Sequence, residues 1–235
     1  MNHIRFASAA LAAGMAVTAN AAVLFSGTGF NPEAGTNASG TALFAISGNT
    51  LTVTLNNTTS PRTAAQGNAM TGVAFDFLNA MPVPTLTLVS TALGSGAQLW
   101  SSKTAFVTSA NINGSWTNVL GNSPLASFGA ASTGFAGAFN GGSIGLGNSS
   151  PNYGVVAPGT FTGSNSVAFG GSQFPFVQGA LVLTFTGVAG LSEAQISNVR
   201  LLFGTDGTGS ITLIPSQGSI ALLGLAGLVA GRRRR

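Results

Sequence analysis

The mature part of this chain alternates. Residues 50–56 (TLTVTLN) place Leu51, Val53 and Leu55 on one face and Thr50, Thr52 and Thr54 on the other. That period of two marks a half-buried β-strand with a threonine outer face. Residues 42–47 (ALFAIS) form a strand before it, and Gly48-Asn49 between the two is a two-residue hairpin signal. Residues 72–78 (GVAFDFL) set Val73, Phe75 and Phe77 on one face, with Asp76 opposite them. Residues 85–91 (TLTLVST) repeat the leucine–threonine alternation, and 179–186 (GALVLTFT), 198–203 (NVRLLF) and 209–214 are expected as further strands. No stretch of the mature chain has a convincing helical period; residues 191–197 (LSEAQIS) amount to one or two turns at most. Strands at this spacing, separated by turn residues, predict an all-β fold: an antiparallel β-sandwich, jelly-roll-like. The pattern is weakest over 111–171, where Gly-rich tracts such as 134–147 (GFAGAFNGGSIGLG) leave only short strands expected around Trp116, Phe128, Phe135, Phe161 and Phe169.

At both ends the alternation stops and the apolar residues run together. A weakly basic start with His3 and Arg5 precedes the Ala-rich run 6–17, and Ala19-Asn20-Ala21 fits the small-x-small cleavage rule. That is the anatomy of a secretory signal peptide, so export through the general secretion machinery is expected, with cleavage after Ala21 or one residue later. At the other end a Pro-containing hinge (Ile214, Pro215, Ser216, Gln217, Gly218) leads into the uncharged 13-residue run 219–231 (SIALLGLAGLVAG) and then Arg232, Arg233, Arg234 and Arg235. As a helix this run is about 20 Å long against a hydrocarbon core of roughly 30 Å, short for a permanent anchor but enough for transient or retained insertion. The arginines are expected to stay on the cytoplasmic side. The chain therefore divides into a signal peptide (1–21), a β-sandwich surface domain (22–212) and a sorting segment with a short transmembrane helix (213–235).

The C-terminal segment resembles the PEP-CTERM sorting signal of bacterial exosortase-dependent surface proteins, a Pro-Glu-Pro-like motif followed by a short membrane helix and an Arg-rich end. Pro215, the run 219–231 and Arg232 to Arg235 carry the resemblance, while Ser216 and Gln217 stand where the family usually has Glu and Pro. The mature region resembles one branch of the same proteins through ALFAISGNTLTVTLNNTTS (42–60), GVAFDF (72–77) and NVRLLFGTDGTG (198–209). The resemblance implies an exported protein of the cell surface or extracellular matrix, delivered to an exosortase-like processing enzyme, and it transfers no catalytic residue.

Composition looks different once the end segments are set aside. The formal charge of +4 and pI near 11.3 suggest a nucleic-acid binder, yet five of the eight basic residues lie in the two sorting segments. Between 22 and 214 only Arg62, Lys103 and Arg200 face Glu33, Asp76, Glu193 and Asp206. No basic patch is left to neutralise phosphates, which excludes nucleic acid as a partner. Glycine is abundant without a three-residue period, so a collagen helix is excluded as well. With no cysteine, an exported fold here depends on its core and its sheet hydrogen bonds.

The chemical inventory is sparse. The only histidine, His3, lies in the signal peptide, which removes histidine-based triads and His/Cys zinc sites from the mature chain. Asp76 and Glu193 are the two acids a paired-carboxylate hydrolase would need, but as isolated acids they read as surface groups, Asp76 either facing solvent or capping a neighbouring loop. Asp206-Gly207 reads as a turn, since one local carboxylate does not make a calcium site. No catalytic, cofactor or metal residue is assigned. Trp100, Trp116 and Tyr153 are the candidates for an aromatic platform under a sugar ring, set against the ordinary role of such residues as core. Asn-x-Ser/Thr triplets begin at Asn37, Asn56, Asn57, Asn113 and Asn148, as expected in so Asn- and Thr-rich a chain. The expected role is structural or adhesive, with binding of extracellular polysaccharide as the alternative.

Overall fold

The computed structural model describes residues 22–60, 66–102, 104–120, 126–132, 152–159, 174–204 and 209–216. Its strands, in chain order, are β1 (Val23–Asn31), β2 (Thr36–Ser47), β3 (Thr50–Asn57), β4 (Met70–Phe77), β5 (Thr87–Leu93), β6 (Gln98–Trp100), β7 (Phe106–Val107), β8 (Trp116–Leu120), β9 (Phe128–Ser132), β10 (Val155–Val156), β11 (Phe176–Gln178), β12 (Leu181–Thr186), β13 (Ile196–Phe203), β14 (Gly209–Thr212) and β15 (Ile214–Pro215). One sheet has the order β15-β1-β2-β3-β12-β5. The other runs β14-β13-β4-β10-β11-β6-β7, with the β8–β9 hairpin attached through β9 to β4. The fold is all-β, with two curled sheets in a sandwich-like arrangement.

The alternation read from the sequence sets the inner faces. Leu51, Val53 and Leu55 of β3 are fully buried, and their register partners on β12 are Phe185, Leu183 and Leu181, buried as well. Phe44 of β2 meets Phe75 of β4 edge-on at 5.2 Å, and Phe75 meets Phe185 at 6.1 Å, so one aromatic ladder joins the two sheets. Each such side chain contributes about 1.5–3 kcal/mol by leaving water, and the edge-on pairs add to that. The β2–β3 hairpin closes from Ser47 to Thr50, with Gly48 at φ +60°. A positive φ at the first loop position is what glycine supplies in a type II′ turn.

Elements the pattern did not single out have a physical reason to be obscure. Strand β1 and the first half of β2 carry Gly27, Gly29, Ala38 and Gly40 where a strand would normally show branched side chains. Their small size is needed: a Cβ on Gly27 would lie 2.7 Å from the Thr212 carbonyl oxygen of the opposite sheet. The pairing is not wholly antiparallel, since β10 and β11 run parallel. Of the short strands expected in the middle, those at Trp116 and Phe128 are present as β8 and β9, while Phe135, Phe161 and Phe169 lie outside the described residues. Residues 191–197 hold a single 3-10 turn, Glu193–Gln195, before β13 begins.

Near the C-terminal end the chain changes sheets. Strand β14 pairs with β13, Leu213 donates to the Val199 carbonyl, and β15 then pairs with β1 (Phe25 opposite Pro215, Ser26 opposite Ile214). The Ser216 N–H continues this pairing by donating to the Leu24 carbonyl at 2.8 Å. The residues expected to begin a hinge, Ile214, Pro215 and Ser216, are thus held on a sheet edge. Ala19, Ala21, Gln217, the apolar run 219–231 and Arg232 to Arg235 lie outside the described residues. Among the described residues no helix is long and apolar enough to cross a membrane.

Strand directions give the sandwich two distinct ends. At one, β1 and β3 finish at Asn31 and Asn57. At the other lie the start of β1, the Gly48-Asn49 hairpin, the loop after β12, the loop between β4 and β5, and the point at which β15 leaves the sheet.

Candidate functional site

The three aromatic candidates do not share a surface. Trp116, at the start of β8, is buried among the main core, and its indole N–H donates to the Tyr153 carbonyl at 3.1 Å. Tyr153 has φ +59° and packs half-buried on the same core. Trp116 thus takes the core alternative, and Tyr153 packs beside it rather than beside Trp100. Trp100 belongs elsewhere. On β6 its neighbour Leu99 turns into the main core, so Trp100 points to the outer face of the sheet. There it packs against Phe176 and meets Phe106, which is 45% exposed, at 4.8 Å between ring centroids with the planes tilted by 37°. Its indole N–H is shared between the Gln98 and Gln178 side-chain oxygens, both at 3.2 Å, and the Gln178 amide is itself anchored to the Gly159 carbonyl. Half-exposed aromatic faces beside fixed amides are the arrangement by which proteins hold sugars, so Trp100 retains that candidacy alone.

A small notch opens beside Trp116. It measures about 110 Å³ and is lined by Leu88, Val89, Ser90, Thr91, Asn113, Gly114 and Trp116. A β-bulge in β5 creates it, because Leu88 and Ser90 stand against the consecutive residues Phe185 and Thr184 of β12. The Asn113 side chain closes it by accepting the Thr91 N–H at 2.8 Å. On the adjoining hairpin, Ser115 Oγ, Asn118 Oδ1 and Ser132 Oγ are buried without a hydrogen-bond partner. Ligand pockets run to roughly 300–1,000 Å³, so this notch suits waters or one small polar group rather than a glycan chain.

Asp76 and Glu193 each accept a backbone N–H. Asp76 Oδ1 accepts the Ser127 N–H at 2.6 Å and Oδ2 accepts from the Asn198 amide at 2.8 Å, which makes Asp76 a loop cap as well as a brace for a residue at φ +47°. Glu193 is buried and its Oε1 accepts the Ile46 N–H at 2.7 Å, fastening the turn before β13 to β2. Glu33 lies against Gly204, filling the space a Cβ would take. Among the described residues no group of three His, Cys, Asp or Glu side chains is placed to hold a metal. Arg62, Lys103 and Asp206 lie outside the described residues.

A buried asparagine cluster, not expected from the sequence, closes one end of the sandwich. The Asn57 amide donates to the Asn68 and Val155 carbonyls at 2.8 and 2.9 Å, and the Asn31 amide donates to the Gly67 carbonyl and to Asn68 Oδ1. Asn68 in turn donates to Thr36 Oγ1 at 2.6 Å. Asn57, one of the five glycosylation-type triplet residues, is therefore fully occupied inside the protein, whereas Asn37 is exposed. A signal was present: Asn57 continues the inward series Leu51, Val53, Leu55, and Asn31 continues Val23, Phe25 on β1. A polar residue on an apolar face needs partners when buried.

Comparison with protein-family models, with curated proteins and with solved structures returned no match.

Proposed function

We propose that this chain is an exported bacterial cell-surface or extracellular-matrix protein with a structural or adhesive role, sorted by an exosortase-like enzyme through its C-terminal segment. The supporting observation is the β1–β15 pairing. It brings Leu24, just after the expected cleavage point, beside Ser216, just before the apolar run, so both sorting segments adjoin one edge of one body. The commitment of Asp76 and Glu193 to backbone hydrogen bonds is in keeping with a binding or structural part rather than hydrolysis. The jelly-roll-like sandwich, the signal peptide and the sorting helix belong to the same proposal.

Intact mass and terminal sequencing of protein taken from the native surface test it. A species beginning near Ala22 and ending before Ser219 supports export and tail removal. A species still carrying Arg235 in the membrane fraction makes the segment a retained anchor. A tail-deleted chain held at the surface as well as the intact one sinks the sorting half of the proposal.

The carbohydrate-binding reading rests on Trp100 with Phe106, Gln98 and Gln178. Glycan-array binding abolished by Trp100→Ala in a chain that still unfolds cooperatively supports it. Unchanged binding, or no glycan retained by either form, removes it.

A further inference from the structure

The loop between β4 and β5 exposes Leu78 (55%), Met81 (87%) and Val83 (70%) to water, beside Pro82 and Asn79. Contiguous large apolar side chains on an exposed loop mark an interaction surface. The loop is not loosely attached. Leu78 N–H donates to the Gln195 carbonyl at 2.7 Å, and Glu193 of the same turn holds the Ile46 N–H of β2. At its far side Thr85 packs against Gly187, in the loop leaving β12. The apolar side chains are therefore presented from a fixed base at one end of the sandwich.

That end is where the chain leaves the sheet toward its apolar run. Strand β15 runs antiparallel to β1 and points toward the start of β1, the end that carries the loop. From Ser216 to Ser219, where the run begins, is three residues, a reach of about 10 Å when extended. Strand β2, to which the base of the loop is tied through Glu193, lies two strand spacings from β15, about 10 Å. A run inserted in lipid would thus hold this end of the domain against the bilayer surface. The exposed residues around the loop, Ser47, Gly48, Asn49, Asn79, Ala189, Gly190 and Ser192, carry no charge to oppose such contact.

We infer that Leu78, Met81 and Val83 form a second membrane contact, seated in the interfacial layer of the bilayer that holds the C-terminal run. This rests on the proposed insertion of residues 219–231. The contact orients the domain while the tail is in place and is given up when the tail is removed, because three side chains on one loop are a small apolar area compared with an interfacial helix.

The absence of native cysteine makes the test clean. Full-length protein is reconstituted into phosphatidylethanolamine–phosphatidylglycerol vesicles carrying a lipid-attached quencher. A polarity-sensitive fluorophore is placed at Met81→Cys, at Leu223→Cys in the run, or at Phe30→Cys, exposed toward the opposite end of the sandwich. The expected result is quenching at 223 and 81 but not at 30, with the emission at 81 reduced by about half for a probe about 5–10 Å into the headgroup boundary. Quenching at 223 with 81 behaving like 30 overturns this inference and leaves the membrane reading of the tail intact. No quenching at 223 overturns both. A blue shift at 81 that appears without lipid and grows with protein concentration assigns the loop to a second copy of the chain, and also overturns the inference.

Discussion

At one end of the sandwich Asn31, Asn57 and Asn68 are drawn inside and joined to each other and to buried carbonyls. At the other, Leu78, Met81 and Val83 stand in water. The two ends invert the usual partition of polar and apolar residues, and the inversion separates two kinds of requirement. Buried amides with every partner in place cost little and lock the ends of β1 and β3 to the short turn at 66–68, so that end is closed by its own hydrogen bonds. Exposed apolar side chains gain nothing for the isolated domain. They have value only toward something outside it, and because three of them share one loop, whereas the asparagine end exposes Phe30 on β1, the open end is the one assigned a contact.

The largest effect comes from removing what both ends share. Phe75→Ala empties the centre of the aromatic ladder, and a loss of about 4 kcal/mol in urea unfolding is expected, seen equally by probes at either end. A small loss would mean that the two sheets are not joined into one cooperative core there. Asn57→Ala strikes the closed end. It strands the Asn68 and Val155 carbonyls, and about 2–3 kcal/mol is expected from the same measurement, with amide exchange accelerated around 66–68. If stability changed by less than about 0.5 kcal/mol, the cluster would be satisfied by water rather than by its own members.

Glu193→Ala acts on the open end by freeing the Ile46 N–H and the base of the exposed loop. A loss of about 1–2 kcal/mol is expected in thermal unfolding, with faster exchange at Ile46 and Leu78 than at Asn31. Met81→Asp sharpens the comparison by its small effect on stability. Its side chain touches little, so stability should change by no more than about 0.5 kcal/mol while vesicle contact of the loop is lost. A large destabilisation would show that Met81 packs against the body after all.

Much of this contrast was readable beforehand in some elements and hidden in others. The β2–β3 hairpin and β12 were legible because each keeps a period of two, and β4 and β13 because they are apolar runs that keep it in part; for Asp76 the sequence left a solvent-facing and a loop-capping role open, and its bonds to Ser127 and Asn198 select the second. Strand β1 was not, because glycines replace the branched residues that announce a strand. Trp116 and Trp100 look alike as letters. One is buried with its N–H on a carbonyl and the other lies on the outer face, because β8 and β6 enter the sheet in different positions. The parallel pairing of β10 with β11 had no local signal, since it joins segments separated by a long connection.

The class of fold, the inner faces of the regular strands, the poverty of catalytic groups and the two apolar end segments can all be read from the residues in order. These follow from side-chain period and chemistry, which are local. That Asn31, Asn57 and Asn68 meet, that Trp100 and Trp116 part, and that Pro215 pairs with Phe25 beside the start of the domain emerges only when the chain is folded. Those outcomes depend on strand order and register, which set contacts between residues far apart in the chain and leave no imprint on the residues beside them.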